Sequence, residues 1–235
     1  MKWIALLCIY FFSCGFAETL VGKAFDPQGN YLFCERHRIG REEGKIVSVH
    51  SKYLDPEGRI IAEMVTKPSD FPYIPNVAFK KYTNGFESGS FMQEDSIILY
   101  KKEPSRQYAK TKKIKIKNDM LLGHGLFFYI SNHFKELSSG KAQKFSYLLP
   151  NRLSSYPFKL WGEPHPRESN IFVIHLKIDN WILKSFVPEI RFYYNRESQK
   201  LITYEGFNGF LFDEDRPPKL IIEYSYEEED GASGL

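Results

Sequence analysis

Turn signals cut this chain into strand-length pieces. Asp26-Pro27-Gln28-Gly29 and Asp55-Pro56-Glu57-Gly58 repeat one arrangement. Asp opens the turn, Pro fixes φ at the next position, and Gly accepts a positive φ at the exit. A third turn is expected from Arg41 to Lys45, around Gly44. Strand-like residues flank each of them, as in Ile46-Val47-Ser48-Val49 and Ile60-Ile61-Ala62. Four consecutive antiparallel strands over residues 19–66 follow. Pro68, Pro72 and Pro75 then mark a loop, and Asn84-Gly85, the strongest short hairpin signal, joins strand-like runs at 77–83 and 86–93. Residues 96–100 and 112–117 add two more strands.

The segment from Asp119 to Leu137 has a different period. Leu121, Leu122, Gly125, Phe128, Ile130, Phe134 and Leu137 recur at roughly helical spacing, with Asp119 placed as an N-cap and Gly140 just past the end. Gly123 and Gly125 weaken the first turns, so the helix is expected to be firm from Leu126. Strands resume at 144–149, 158–161, 171–178, 190–194, 201–206 and 220–226. No linker interrupts the chain, which predicts one β-rich domain over 18–226 and a solvated acidic tail over 227–235. The fold class expected is mainly β: a single curved antiparallel sheet of about ten or more strands, an incomplete barrel wrapped around one central helix.

The first residues read as a secretory signal. Met1-Lys2 supply positive charge, Trp3 to Phe12 an apolar run, and Gly15-Phe16-Ala17 a small-residue exit with cleavage expected after Ala17. The apolar run is too short for a membrane span, which needs roughly 20 residues. Cys14 offers an alternative exit that loosely resembles a lipobox. Either reading predicts an extracytoplasmic protein of the periplasm or cell envelope. Cleavage would leave 218 residues and lower the net charge from +3 to +2, since Lys2 departs. So small a charge makes no argument for nucleic acid as a partner. Aromatics make up 16% of the chain, with 20 Phe and 15 Tyr, as suits pleated surfaces. Beyond the signal only Cys34 remains, so no internal disulfide can form and core burial must hold the fold. Cys34 reads as a small buried hydrophobe within Tyr31-Leu32-Phe33-Cys34-Glu35. No asparagine begins an Asn-x-Ser/Thr sequon, which favours a bacterial envelope.

The search for catalytic constellations returns little. Gly85-Phe86-Glu87-Ser88-Gly89 sets its serine one place late for a nucleophile elbow. Gly140-Lys141 lacks the upstream glycine of a phosphate-binding loop. Asp213-Glu214-Asp215 runs into Arg216-Pro217-Pro218 where a calcium loop needs glycine and further oxygen ligands, so a solvated turn is expected. No metal site and no cofactor are expected. His124, between two glycines, is the most suggestive histidine; the plainer reading is a residue at the helix start. His50 and His175 lie in strand-like runs and are expected at an edge or toward solvent.

Lys101 to Lys117 holds eight cations against Glu103. Lys113-Ile114-Lys115-Ile116-Lys117 alternates, so a strand would bury both isoleucines and display the lysines. Lysines on an edge strand deter aggregation. The alternative is contact between Lys113, Lys115 and Lys117 and anionic lipid headgroups. Trp161 and Trp181 suit either a sugar-stacking platform or core packing.

The C-terminal third carries a resemblance. Ile171 to Leu176, Asn180-Trp181-Ile182-Leu183, Pro188 to Tyr194 and Leu201 to Phe207, with the Asp-Pro-x-Gly turns, look like uncharacterised exported bacterial proteins. Their general appearance is similar to the LolA/LolB-like half-barrel, which curls around a helix and shelters an acyl chain. The resemblance implies lipid handling and brings no catalytic residues. The expected function is therefore an exported, non-catalytic envelope protein that binds a lipid or another hydrophobic small molecule. Phe127, Phe128, Phe134, Trp161 and Trp181 are its candidate ligand contacts. Two alternatives stand beside it: an extracytoplasmic hydrolase using His124 and a nearby acid, and a structural or protein-binding envelope component.

Overall fold

A computed structural model describes residues 16–42, 45–183, 187–207, 211 and 218–227. Most of the expected signal segment, the centre of the Arg41–Lys45 turn, Asp213–Asp215 and the tail beyond residue 227 lie outside the described residues.

Both Asp-Pro-x-Gly segments make the turn their residues imply. Asp26 Oδ1 accepts from the backbone N–H groups of Gln28 and Asn30 at 2.9 and 2.8 Å. Asp55 Oδ1 does the same for Glu57 and Arg59 at 3.1 and 2.8 Å. The first turn joins β1 (Phe16–Phe25) to β2 (Tyr31–Glu42) and the second joins β3 (Lys45–Leu54) to β4 (Ile60–Lys67). The proline loop leads to β5 (Asn76–Lys81), and Asn84-Gly85, with Gly85 at φ +77°, turns the chain toward β6 (Glu87–Gln93). The strands β7 (Ser96–Lys102) and β8 (Lys110–Lys115) complete this half, β8 ending before Lys117.

The segment expected to be one helix from Asp119 divides instead. Met120–Leu122 is a strand, β9, followed by α1 (Gly125–Asn132) and α2 (Phe134–Leu137). Asp119 is not an N-cap: its carbonyl accepts the Ser146 N–H at 2.7 Å, and the position before α1 is His124, with no side-chain cap. Helical periodicity failed at Leu121-Leu122 because β9 lies between two cores. Met120 and Leu122 enter one core and Leu121 the other, the alternation of a strand. Gly140, at φ +78°, ends the helical segment as expected.

The chain continues through β10 (Gln143–Leu149), β11 (Ser154–Pro164), β12 (Ile171–Ile178), β13 (Ile190–Asn195), β14 (Leu201–Phe207) and β15 (Lys219–Glu227). All fifteen strands form one sheet, with β1 and β15 paired at its centre and β8 and β9 at its edges. Every pairing is antiparallel except β9 with β10. The two edge strands are consecutive in sequence, and only residues 116–119 separate them. That connection spans at most about 17 Å, whereas fifteen strands laid flat would span roughly 65 Å. The sheet must therefore curl until its edges nearly meet. At one of them, the Leu122 N–H donates to the Tyr73 carbonyl at 3.0 Å, so the proline loop covers β9.

The edge strand β8 carries the lysines. Ile114 and Ile116 pack against the first core while Lys113, Lys115 and Lys117 are exposed. Lys115 lies 3.8 Å from Asp95.

Helix α1 sits inside the curl. Leu126 and Ile130, with Phe134 and Leu137 of α2, pack on inward residues of β10 to β14. Gly125 sets how closely the helix approaches the proline loop. A Cβ there would stand 2.1 Å from the Tyr73 carbonyl oxygen. Two effects oppose each other in Gly125→Ala: helix propensity favours Ala by roughly 1 kcal/mol, and displacing packed backbone costs about 1–3 kcal/mol. The clash involves backbone, which cannot rotate away, so net destabilisation is the expected outcome. A urea-denaturation midpoint equal to or above that of the wild type would show that the loop yields.

Candidate functional site

The curled sheet and α1 do not fill the interior. A cavity of about 860 Å³ lies between them, lined by strands β1 to β4, α1 and strands β10 to β15. Period-two alternation decides which side chains face it. On β2, Phe33, Glu35, His37, Ile39 and Arg41 point inward, the last four lining the cavity. On β14 the lining runs from Leu201 to Phe207, about 20 Å at the rise of a strand. Aromatic and aliphatic groups dominate the wall, among them Leu20, Phe127, Phe128, Leu176, Phe192 and Tyr204. At one end, Lys200 Nζ and Arg41 Nη2 approach the two oxygens of Glu18 at 3.7 and 3.9 Å.

One part of the wall is polar. Tyr224 donates its hydroxyl to Glu35 Oε1 at 2.5 Å, and His37 Nε2 lies 3.1 Å from the same oxygen. His37 Nδ1 is 2.6 Å from Ser51 Oγ, which lies 3.4 Å from His124 Nε2, and His124 Nδ1 is 2.7 Å from Thr66 Oγ1. Strand register assembles the group. Gly22 on β1 pairs with Tyr224 on one side and Glu35 on the other, and Glu35 pairs in turn with Tyr53. Tyr224 and Glu35 thus meet across β1 because Gly22 has no side chain: a Cβ there would fall 2.8 Å from the tyrosine ring and 2.9 Å from Glu35 Cγ. Burial, and then Glu35, push the Tyr224 hydroxyl well above its ordinary value. Burial, with His37 nearby, lowers His124 from its ordinary 6.5 to about 3. The imidazole keeps some accessible surface and lines the cavity.

The order carboxyl, imidazole, hydroxyl in Glu35, His37 and Ser51 is that of serine hydrolases. Here the hydroxyl is sealed: Ser51 has no accessible surface and does not line the cavity. The pairing a hydrolase would need at His124 is not formed, since its hydrogen-bond partners among the described residues are Ser51 and Thr66. Among the described residues no group of three His, Cys, Asp or Glu side chains is arranged to hold a metal ion.

The residues singled out in the sequence are scattered. Phe127 and Phe128 line the cavity. Phe134 lies off it, in the core against Phe172 and Tyr194, with ring centroids 5.5 and 5.6 Å apart. Trp161 is on the opposite face of the sheet, because Phe158, Leu160 and Gly162 take the inward positions of β11. It stacks on His175 at 4.9 Å. Trp181 is 86% exposed in the β12–β13 connection. His175, expected at an edge or in solvent, is buried on the outer face beneath Trp161 and bonded to Glu189 at 2.8 Å. His50 is half-buried, 3.8 Å from Glu63. Cys34, expected to be buried, is half-buried and outward, because its neighbours Phe33 and Glu35 take the inward positions. Glu35, His37 and Tyr53 went unnoticed, although alternation from Phe33 would have found the first two.

No family model matches the sequence, and no curated protein matches it. Among solved structures, the chain resembles a beta-barrel-like protein of domain of unknown function DUF1849 from Brucella abortus. The TM-score is 0.57 at 6% identity, over 93% of this chain and 100% of that one. A "putative lipoprotein" from Parabacteroides distasonis matches at a TM-score of 0.37 and 11% identity, over 91% of this chain and 96% of that one. The first likeness establishes a barrel-like fold shared with an uncharacterised bacterial protein. It does not bring in LolA or LolB.

The histidine environment has a consequence for acid stability. Below pH 6.5 the unfolded chain protonates this imidazole, while the folded protein resists until about pH 3. The unfolded state then binds more protons, so stability falls with falling pH, by up to about 1.4 kcal/mol per unit. Carboxylates held low in the fold, such as Asp26 beside the Asn30 side chain, add their loss only once pH approaches their ordinary 3.8. Between pH 6.5 and about 5, His124→Gln should flatten the pH dependence of the urea midpoint. The same slope in both proteins would sink the assignment.

Proposed function

We propose that this is an exported, non-catalytic protein of the bacterial envelope that holds a lipid or another hydrophobic small molecule in its interior. The observation that carries the reading is the cavity of about 860 Å³. Protein interiors are packed to the density of organic crystals, and an internal space of this size with a mostly apolar lining falls within the range of ligand sites. The roughly 20 Å of lining along β14 exceeds the depth of one acyl chain, about half of the ~30 Å hydrocarbon core of a bilayer. The LolA/LolB-like reading of the sequence belongs with this proposal.

Protein purified from its own compartment is expected to carry an amphiphile visible by native mass spectrometry and released by organic extraction. Repeated ligand-free preparations that also fail to take up long-chain lipids would remove the reading.

The lysines of β8, with Lys117 just beyond it, extend the proposal to a membrane surface. Each cation near an anionic surface contributes about 1 kcal/mol to attraction, weakened by salt. Changing Lys113, Lys115 and Lys117 together to Glu should abolish sedimentation with anionic vesicles and leave the melting temperature nearly unchanged, because exposed charges add little to stability. Unaltered vesicle binding would leave these lysines as protection of the sheet edge.

A further inference from the structure

The polar part of the cavity wall is wired toward one acceptor. One assignment of protons satisfies the chain. In it Thr66 donates to His124 Nδ1, His124 Nε2–H to Ser51 Oγ and Ser51 to His37 Nδ1, which leaves the proton of His37 on Nε2, 3.1 Å from Glu35 Oε1. Tyr224 donates to the same Glu35 oxygen. In this arrangement the donors point at partners within the wall.

An acceptor is left over. Glu35 is 4% exposed and lines the cavity, and its second oxygen, Oε2, makes no hydrogen bond among the described residues. Beside it, Tyr53 is 6% exposed and also lines the cavity, and its hydroxyl has no hydrogen-bond partner among the described residues. Both atoms keep surface on the cavity, so an occupant that displaces water there must pair with them or leave them costly and unpaired. A carboxylate with spare lone pairs takes donors. It repels another anion brought alongside it in a low-dielectric interior.

We infer that the polar end of the cavity's occupant is a hydrogen-bond donor, a hydroxyl or an amine, seated against Glu35 Oε2 and the Tyr53 hydroxyl. Lipids that end in a carboxylate or phosphate are disfavoured at this position. The inference rests on the interior cavity being the ligand site, and it names the class of ligand that site takes. The alternative seat for a polar end is the rim, where Arg41 and Lys200 would welcome an anion. Glu18 already faces both.

The test compares three probes of equal chain length, 1-dodecanol, dodecylamine and dodecanoate, by calorimetric titration at neutral pH below their aggregation thresholds. The alcohol and the amine should bind the wild type about tenfold or more tighter than the carboxylate, the scale of one hydrogen bond to a charged group. Glu35→Gln should erase most of that preference. Tyr53→Phe deletes a hydroxyl with no partner in the fold, so it should leave the melting temperature unchanged and weaken dodecanol binding severalfold. It also keeps the test decisive if Glu35→Gln fails to fold. Equal binding of all three probes, or tighter binding of dodecanoate, overturns the inference while sparing the cavity as a ligand site. Failure of all three to bind overturns both.

Discussion

Everything in this molecule depends on the four residues between β8 and β9. They tie the opposite edges of a fifteen-stranded sheet to within a short span of one another, so the sheet has to curl on itself. Curling removes most of the edge problem that a sheet of this width would face. It also creates an interior larger than its own side chains can fill, because the bore of a barrel grows with strand number and about eight strands already suffice for a filled one. The helical segment after β9 occupies part of that space, and the cavity is the remainder.

The interior is not uniformly apolar. Between the two hydrophobic cores, the chain from Tyr224 through Glu35, His37, Ser51 and His124 to Thr66 satisfies one buried group with the next. Hydrogen bonds in such a network polarise and strengthen one another. This one depends on a gap: Gly22 leaves the space through which Tyr224 and Glu35 meet across β1.

Much of the architecture was legible in the residues. The Asp-Pro-x-Gly and Asn-Gly turns carry their own hydrogen-bonding chemistry, so the hairpins they close followed from local rules. Alternation in Lys113 to Lys117 placed two isoleucines inward and the lysines outward, as found. Reading failed where two periods compete. Leu121 and Leu122 fit a helix as well as a strand over so short a run, and pairing with β10 settled the matter. Of the candidate contacts, Phe127 and Phe128 line the cavity, whereas Phe134, Trp161 and Trp181 do not. The facing of a strand residue is set by alternation with its neighbours, and Trp161 sits one step from the inward Leu160.

By itself, the sequence determined a β-rich chain of short antiparallel strands around one helical segment. Those properties depend on interactions within a few residues: turn chemistry and alternation. The tertiary structure alone decided that β1 pairs with β15, that the sheet nearly closes, and that Glu35, His37, Ser51, His124 and Thr66 share one wall. Residues 35 and 124 meet through register summed over several strands. A one-residue slip anywhere along that path would turn the side chains to the other face, so no local pattern records the encounter.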